Sequence, residues 1–258
     1  MNVRKNSSII IDLYEVNEEN YHFIVELLDK CEFIWEIQFK EYLKIQSDDI
    51  YELVLSKILK YYPNIYDGYI DRSYKDSTKL NYFCNTLTVD KFIQVYPIIE
   101  EIFMRNIDLQ DQYFDNIIIH DLFYNNYETE DLQKLLQFFI DKGLTKYLLK
   151  TNNRRNNAFD ICFYKNINIF DIMIKNNISI DGNINKTNII SWIQQQDIKL
   201  IMNIICQSKY KNQIYEIILS TKRNISCYSY SEEDSKKILN KFKLIQELKD
   251  SSVKSATE

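Results

Sequence analysis

Glycine and proline are almost missing from this chain: its 258 residues include 3 Gly and 2 Pro. A large all-β protein or a Rossmann-type dinucleotide fold needs many more turn and loop glycines, so both are disfavoured. Histidine is as scarce, with only His22 and His120. The five cysteines, Cys31, Cys84, Cys162, Cys206 and Cys227, are odd in number and form no C-x-x-C pair. They read as reduced, mostly buried thiols of a cytosol-like compartment. No H-x-x-x-H, EF-hand loop or phosphate loop occurs, and Ser191 and Ser208 lack a nucleophile-elbow context. His120 adjoins Asp121, but neighbouring helical residues point in different directions. The expectation is a non-enzyme with no catalytic residue, no metal ligand set and no cofactor.

Long apolar runs are also lacking. No segment approaches the roughly 18 residues of a membrane span. The opening MNVRKNSSIIIDLYEV holds a three-residue aliphatic run, too short for a signal-peptide core. Net charge is −5 with both signs interspersed, whereas a nucleic-acid binder would carry a basic stripe. Lys150, Arg154 and Arg155 make the one dense basic spot before the tail. These absences predict a soluble cytoplasmic protein whose partner is neither nucleic acid nor membrane.

What is present is a hydrophobic fraction of 45%, enough for an extended core. Ile, Asn, Lys, Tyr and Phe dominate, and their codons are rich in A and T. The 20 Tyr are therefore read mainly as core and groove filler. Apolar residues at helical spacing predict helices over 18–31, 33–45 and from Ser47 to before Pro63. The stretch 63–79 reads as a loop and the best boundary. A helix from Thr88 through Ile102 contains Pro97, which should kink or divide it. Helix pairs follow at 117–125 with 132–142, 158–165 with 169–176, and 189–195 with 198–207. A helix at 214–221 and a last one from Ser231, capped through Asp234, complete the series.

An echo runs through the second half. Ile161, Cys162, Ile167, Ile169, Phe170, Met173 and Ile174 align without a gap, 31 residues on, with Trp192, Ile193, Ile198, Leu200, Ile201, Ile204 and Ile205. A fixed period of this size marks repeat architectures. Phe139-Ile140-Asp141-Lys142-Gly143-Leu144 resembles the ending of an ankyrin second helix, and Met173-Ile174-Lys175-Asn176-Asn177 resembles it with Asn for Gly. Ile102-Phe103-Met104-Arg105-Asn106 is read the same way. Gly and Asn suit a left-handed helix end. Asn106, Gly143, Asn177 and Ser208 are spaced 37, 34 and 31 residues apart, close to the family period of about 33. Ile119-His120-Asp121-Leu122 resembles the family's first-helix opening, although no full TPLH occurs. Tyr127-Glu128-Thr129-Glu130 reads as an insertion.

The chain thus resembles a degenerate ankyrin-repeat protein of the kind found in amoebae and giant DNA viruses, over roughly residues 85–210. The resemblance implies an all-α, helical-pair repeat solenoid: an N-terminal helical cap (1–80), repeats (81–225), a C-terminal capping helix (226–250) and a disordered tail (251–258). It implies a structural His120, and a protein–protein interaction scaffold in the cytoplasm, the host's if the source is viral. The expected contact surface comprises Asn152, Asn153, Arg154, Arg155, Tyr124 and Tyr127. The alternatives are an adaptor that recruits cellular machinery through its N-terminal helices and, after it, an enzyme of unrecognised type.

Overall fold

The computed structural model describes residues 10–12, 17–30, 36–38, 47–61, 63, 67, 78–111, 113–165, 169–180, 183–227 and 230–254. These are predominantly α-helical, and they fall into two compact units that divide between Asn125 and Asn126. Most of the loop-like stretch 63–79 lies outside the described residues, as do Cys31 and the tail 255–258.

The first unit holds strands β1 (Ile10–Asp12) and β2 (Glu36–Gln38) and helices α1 (Tyr21–Lys30), α2 (Asp48–Tyr61), α3 (Lys79–Asn85), α4 (Val89–Asn106) and α5 (Ile118–Tyr124). β1 and β2 pair in parallel, with Ile11 opposite Ile37. This corrects the helix expected over 33–45: Glu36–Gln38 is extended. α1 packs on α2, α2 on α4, and α3 on both α4 and α5. α2 starts with Asp48 and Asp49, acids suited to the positive helix end. α3 and α4 start on threonines: Thr78 Oγ1 accepts the Asn81 N–H at 3.0 Å and Thr88 Oγ1 the Lys91 N–H at 3.2 Å. α4 is one helix, not two. Pro97 sits inside it on an exposed position, while the buried face carries Phe92, Val95, Tyr96, Ile99, Ile102 and Phe103. The Phe92, Tyr96 and Phe103 rings meet edge to face at 5.3 to 5.9 Å, a favoured aromatic geometry.

The second unit holds α6 (Thr129–Asp141), α7 (Thr145–Leu148), α8 (Ala158–Tyr164), α9 (Phe170–Lys175), α10 (Lys186–Gln195), α11 (Ile198–Gln207), α12 (Lys211–Thr221), a 3-10 turn at Lys222–Cys227, and α13 (Glu232–Lys254). α6 begins at Thr129, so Thr129 and Glu130 form its first turn rather than part of the link between helices. α13 starts as expected, with Ser231 Oγ accepting the Asp234 N–H at 3.1 Å. It continues to Lys254, so 251–254 belong to the helix and not to a tail.

α8 packs on α10, α10 on α12 and α13, and α12 on α11 and α13. Phe163 of α8, Phe170 of α9 and Trp192 of α10 form one buried cluster, with ring centroids 5.2 to 6.4 Å apart. The echo of 31 residues has a local cause. α8 ends at Tyr164 and α10 at Gln195, 31 residues on, whereas their N-terminal caps lie 28 apart because α10 has 10 residues against 7. The repeated apolar pattern follows the helix ends and α10 carries about one extra turn at its start.

Candidate interaction surface

Three of the short helices, α3, α5 and α8, start with a side chain accepting a backbone N–H. Thr78 caps α3 through the third residue's N–H. At α5, His120 Nδ1 accepts the Ile117 N–H at 3.2 Å. At α8, the Asn157 Oδ1 accepts the Asp160 N–H at 3.0 Å while Asp160 Oδ2 accepts the Asn157 N–H at 3.1 Å, a reciprocal box. At α10, the Asn188 N–H reaches the Asn185 carbonyl at 2.8 Å. His120 is fully buried. Its Nδ1 is engaged by the backbone at the start of α5.

The residues at these starts also tie neighbouring helices together. In the first unit, Asn81 Nδ2 donates to Asp121, Asn116 Nδ2 donates to Asp121 at 2.9 Å, and Asn125 Nδ2 donates to the Asn85 carbonyl at 2.9 Å. Both links between α3 and α5 span 40 residues, so these two helices run side by side in the same direction. In the second unit, Asp160 Oδ1 accepts from Asn188 Nδ2 at 2.7 Å and from the Asn185 N–H at 3.0 Å. Asn188 Nδ2 also reaches Asn156 Oδ1 at 3.3 Å, and Asn188 Oδ1 accepts the Tyr164 hydroxyl at 2.8 Å. The second helices are linked as well: Gln137 of α6 and Asn176 after α9 exchange amide hydrogen bonds at 3.3 and 3.5 Å, and Ser208 after α11 donates to Asp171 of α9.

Neither Asp121 nor Asp160 has a cation among the causes that shift it. Burial pushes the Asp121 carboxyl up to about 6, against the opposing bond from Asn81 and with a contribution from Asp111. Burial raises Asp160 too, against the bonds from Asn188, Asn157 and Asn185. Burial also raises the Cys84 and Cys162 thiols, which suppresses the thiolate.

Two surface loops share one design. In the first unit the Asp111 N–H donates to the Asn116 carbonyl at 2.9 Å, and the Asn116 N–H returns to Asp111 Oδ2 at 3.2 Å. Asp111 Oδ1 gathers the Tyr113 and Phe114 N–H groups at 2.8 and 2.6 Å, and Asp115 is left-handed with φ 53°. In the second unit the Asn152 N–H donates to the Asn156 carbonyl at 3.0 Å, Asn152 Oδ1 gathers the Arg154 and Asn156 N–H groups at 3.0 Å each, and Arg155 is left-handed with φ 60°. These Asx-built turns lead into α5 and α8.

The expected residues therefore separate. Gly143 and Asn177 are left-handed, with φ 72° and 56°. Each sits in the same motif: the Leu144 N–H reaches the Phe139 carbonyl at 2.9 Å, and the Ile178 N–H the Met173 carbonyl at 2.8 Å. Asn106 does not join them. It is the last residue of α4, buried, and its amide donates to Asp67 at 2.7 Å and to the Ile102 carbonyl at 2.9 Å. Asn152 is not a contact residue either: it is 5% exposed, and its side chain builds the turn. Asn153, Arg154 and Arg155 are exposed, Tyr124 is exposed at the end of α5, and Tyr127 is half-buried. Residue-by-residue reading missed Tyr113 and Phe114, 55% and 39% exposed. Their signal is an Asx residue opening a short turn that a second Asx residue closes, five residues on for Asp111 and Asn116 and four for Asn152 and Asn156.

A groove of about 600 Å³ lies between the end of α10 and the start of α13, lined by Gln194, Asp234, Lys237 and Lys241 among others. Its cations are engaged: Lys237 pairs with Glu233 at 2.6 Å, and Lys241 Nζ donates to the carbonyls of Ile193 and Gln194 at 2.8 Å each and to that of Gln196. Among the described residues no group of His, Cys, Asp or Glu could hold a metal ion, and no helix is long and apolar enough to cross a membrane. Comparison with known proteins found no family model, no curated protein and no solved structure that matches this chain.

Proposed function

We propose that the chain is a non-catalytic protein–protein interaction scaffold built from degenerate ankyrin-like helix pairs. The observation that carries this reading is the repeated linkage within each unit: successive first helices are tied through side chains at their N-terminal ends, and in the second unit successive second helices are tied as well. Such linkage holds helices in register and leaves the turns between them at the surface. The shared Asx turns and the left-handed endings at Gly143 and Asn177 support the same reading. The division into two compact units supports a second reading, an adaptor with the N-terminal helices recruiting and the later helices selecting a target.

The exposed 153–155 segment is the proposed contact in the second unit. Affinity capture with the intact chain is compared with an Arg154→Glu/Arg155→Glu variant. The expected result is a partner set held by the native chain and lost by the variant. Identical capture by both would remove this loop as the contact.

A further inference from the structure

The two turns are alike in having an Asx side chain gather backbone N–H groups, and they are opposite in charge. Residues 106–116 contain Asp108, Asp111 and Asp115 and no Lys or Arg; residues 149–157 contain Lys150, Arg154 and Arg155 and no Asp or Glu. In the first, the Asp111 carboxylate is consumed by backbone N–H groups, while Asp108 and Asp115 are exposed. The tip between these acids is the aromatic pair Tyr113 and Phe114, with ring centroids 6.5 Å apart. It is held by hydrogen bonds from both of its own N–H groups, and the turn is closed again by Gln110 Nε2 on the Asp115 carbonyl at 3.3 Å.

Aromatic side chains on a pre-ordered backbone make strong binding anchors, because little entropy remains to be lost on contact. Acids beside them select against acidic partners and favour basic ones. Resting on the scaffold reading, we infer that the Tyr113–Phe114 tip is a docking anchor for a polypeptide segment that carries an apolar side chain flanked by lysine or arginine. The aromatic rings supply the contact area and Asp108 and Asp115 set the sign of the partner's charge.

The test uses the full chain on an array of synthetic peptides, each with a central leucine or phenylalanine and flanks of lysine, glutamate or serine. The native chain should retain the lysine-flanked peptides in preference to the others, and retention should weaken as salt screens the acids. Tyr113→Ala/Phe114→Ala should weaken retention at least about tenfold. The variant's circular dichroism should match the native chain, so that loss of retention is read on folded protein. Asp115→Asn should narrow the preference for lysine without abolishing retention. Equal retention by the double alanine variant, preference for glutamate flanks, or no retention of any peptide would each overturn the inference. If retention depends on Arg154 and Arg155 instead, the aromatic anchor fails while the scaffold reading stands.

Discussion

Asp121 shows how a single buried carboxylate can set the pH response of this fold. It bridges Asn81 and Asn116 through amide donors alone among the contacts described. Its carboxyl titrates at about 6 in the folded chain against an ordinary 3.8, chiefly because burial penalises the charge. The folded state therefore holds the proton more tightly than the unfolded state. Its contribution is most favourable below pH 3.8 and is lost as pH rises through about 6. The loss is at most about 3 kcal/mol. Urea midpoints of the native chain and Asp121→Asn, measured across this window, should differ in slope, with the native chain losing more stability as pH rises. Parallel curves would assign the pH dependence elsewhere. Gly143 offers a second test. No atom lies within 4 Å of an added Cβ, so strain at φ 72° is the whole cost of Gly143→Ala. That cost is about 1–2 kcal/mol. Asn177→Gly, at φ 56° in the equivalent place, should instead be neutral or mildly stabilising in thermal melts.

At the scale of elements, polar links fix helix register where apolar contact alone tolerates sliding. Asn188 uses both its donor and acceptor groups on α8 and its leading loop. Asn188→Ala would strip one donor from the buried Asp160 and should cost about 2–3 kcal/mol. In a double-mutant cycle with Asp160→Asn the two effects should fail to add by more than about 0.5 kcal/mol; additive losses would show that the two side chains do not act together. The helices themselves were legible from the chain. The pairs expected at 158–165 with 169–176 and 189–195 with 198–207 match α8 to α11 to within a few residues, because 3,4-spaced apolar residues must share a face. The pair at 117–125 and 132–142 also forms as helices, but α5 falls in the first compact unit and α6 in the second. The β1–β2 pair was not legible: three residues per strand carry too little alternation to register. The unbroken α4 was missed because Pro97 weighs against a helix locally, while the buried face from Phe92 to Phe103 holds it through packing.

For the whole molecule, stability rests on two sets of buried side chains. The first unit buries Val54, Leu55, Tyr96 and Phe103 among others, and the second Phe159, Phe170, Ile218 and Phe242. Fragments 1–125 and 126–258 should each show helical circular dichroism and a cooperative melt when expressed separately, and the adaptor reading requires this. Failure of both fragments to fold would leave a single cooperative array and remove the adaptor reading. The aromatic cluster of Phe163, Phe170 and Trp192 places an intrinsic fluorophore in the second unit, so the melt of 126–258 can be followed by Trp192 emission.

Composition and spacing alone determined that helices would dominate, where most of them lie, and that Gly143 and Asn177 would end two of them, because these properties depend on residues within a turn or two of each other. Tertiary structure decided what the asparagines and carboxylates do. Asn106 and Asn152 are buried builders rather than a left-handed cap and a surface contact, and Asp121 and Asp160 join helices whose sequences lie 28 to 40 residues apart. Nothing in the local chain distinguishes a buried asparagine from an exposed one. The difference is made only when packing removes water and leaves each amide to find a partner, on its own turn for Asn152 and on another element for Asn188.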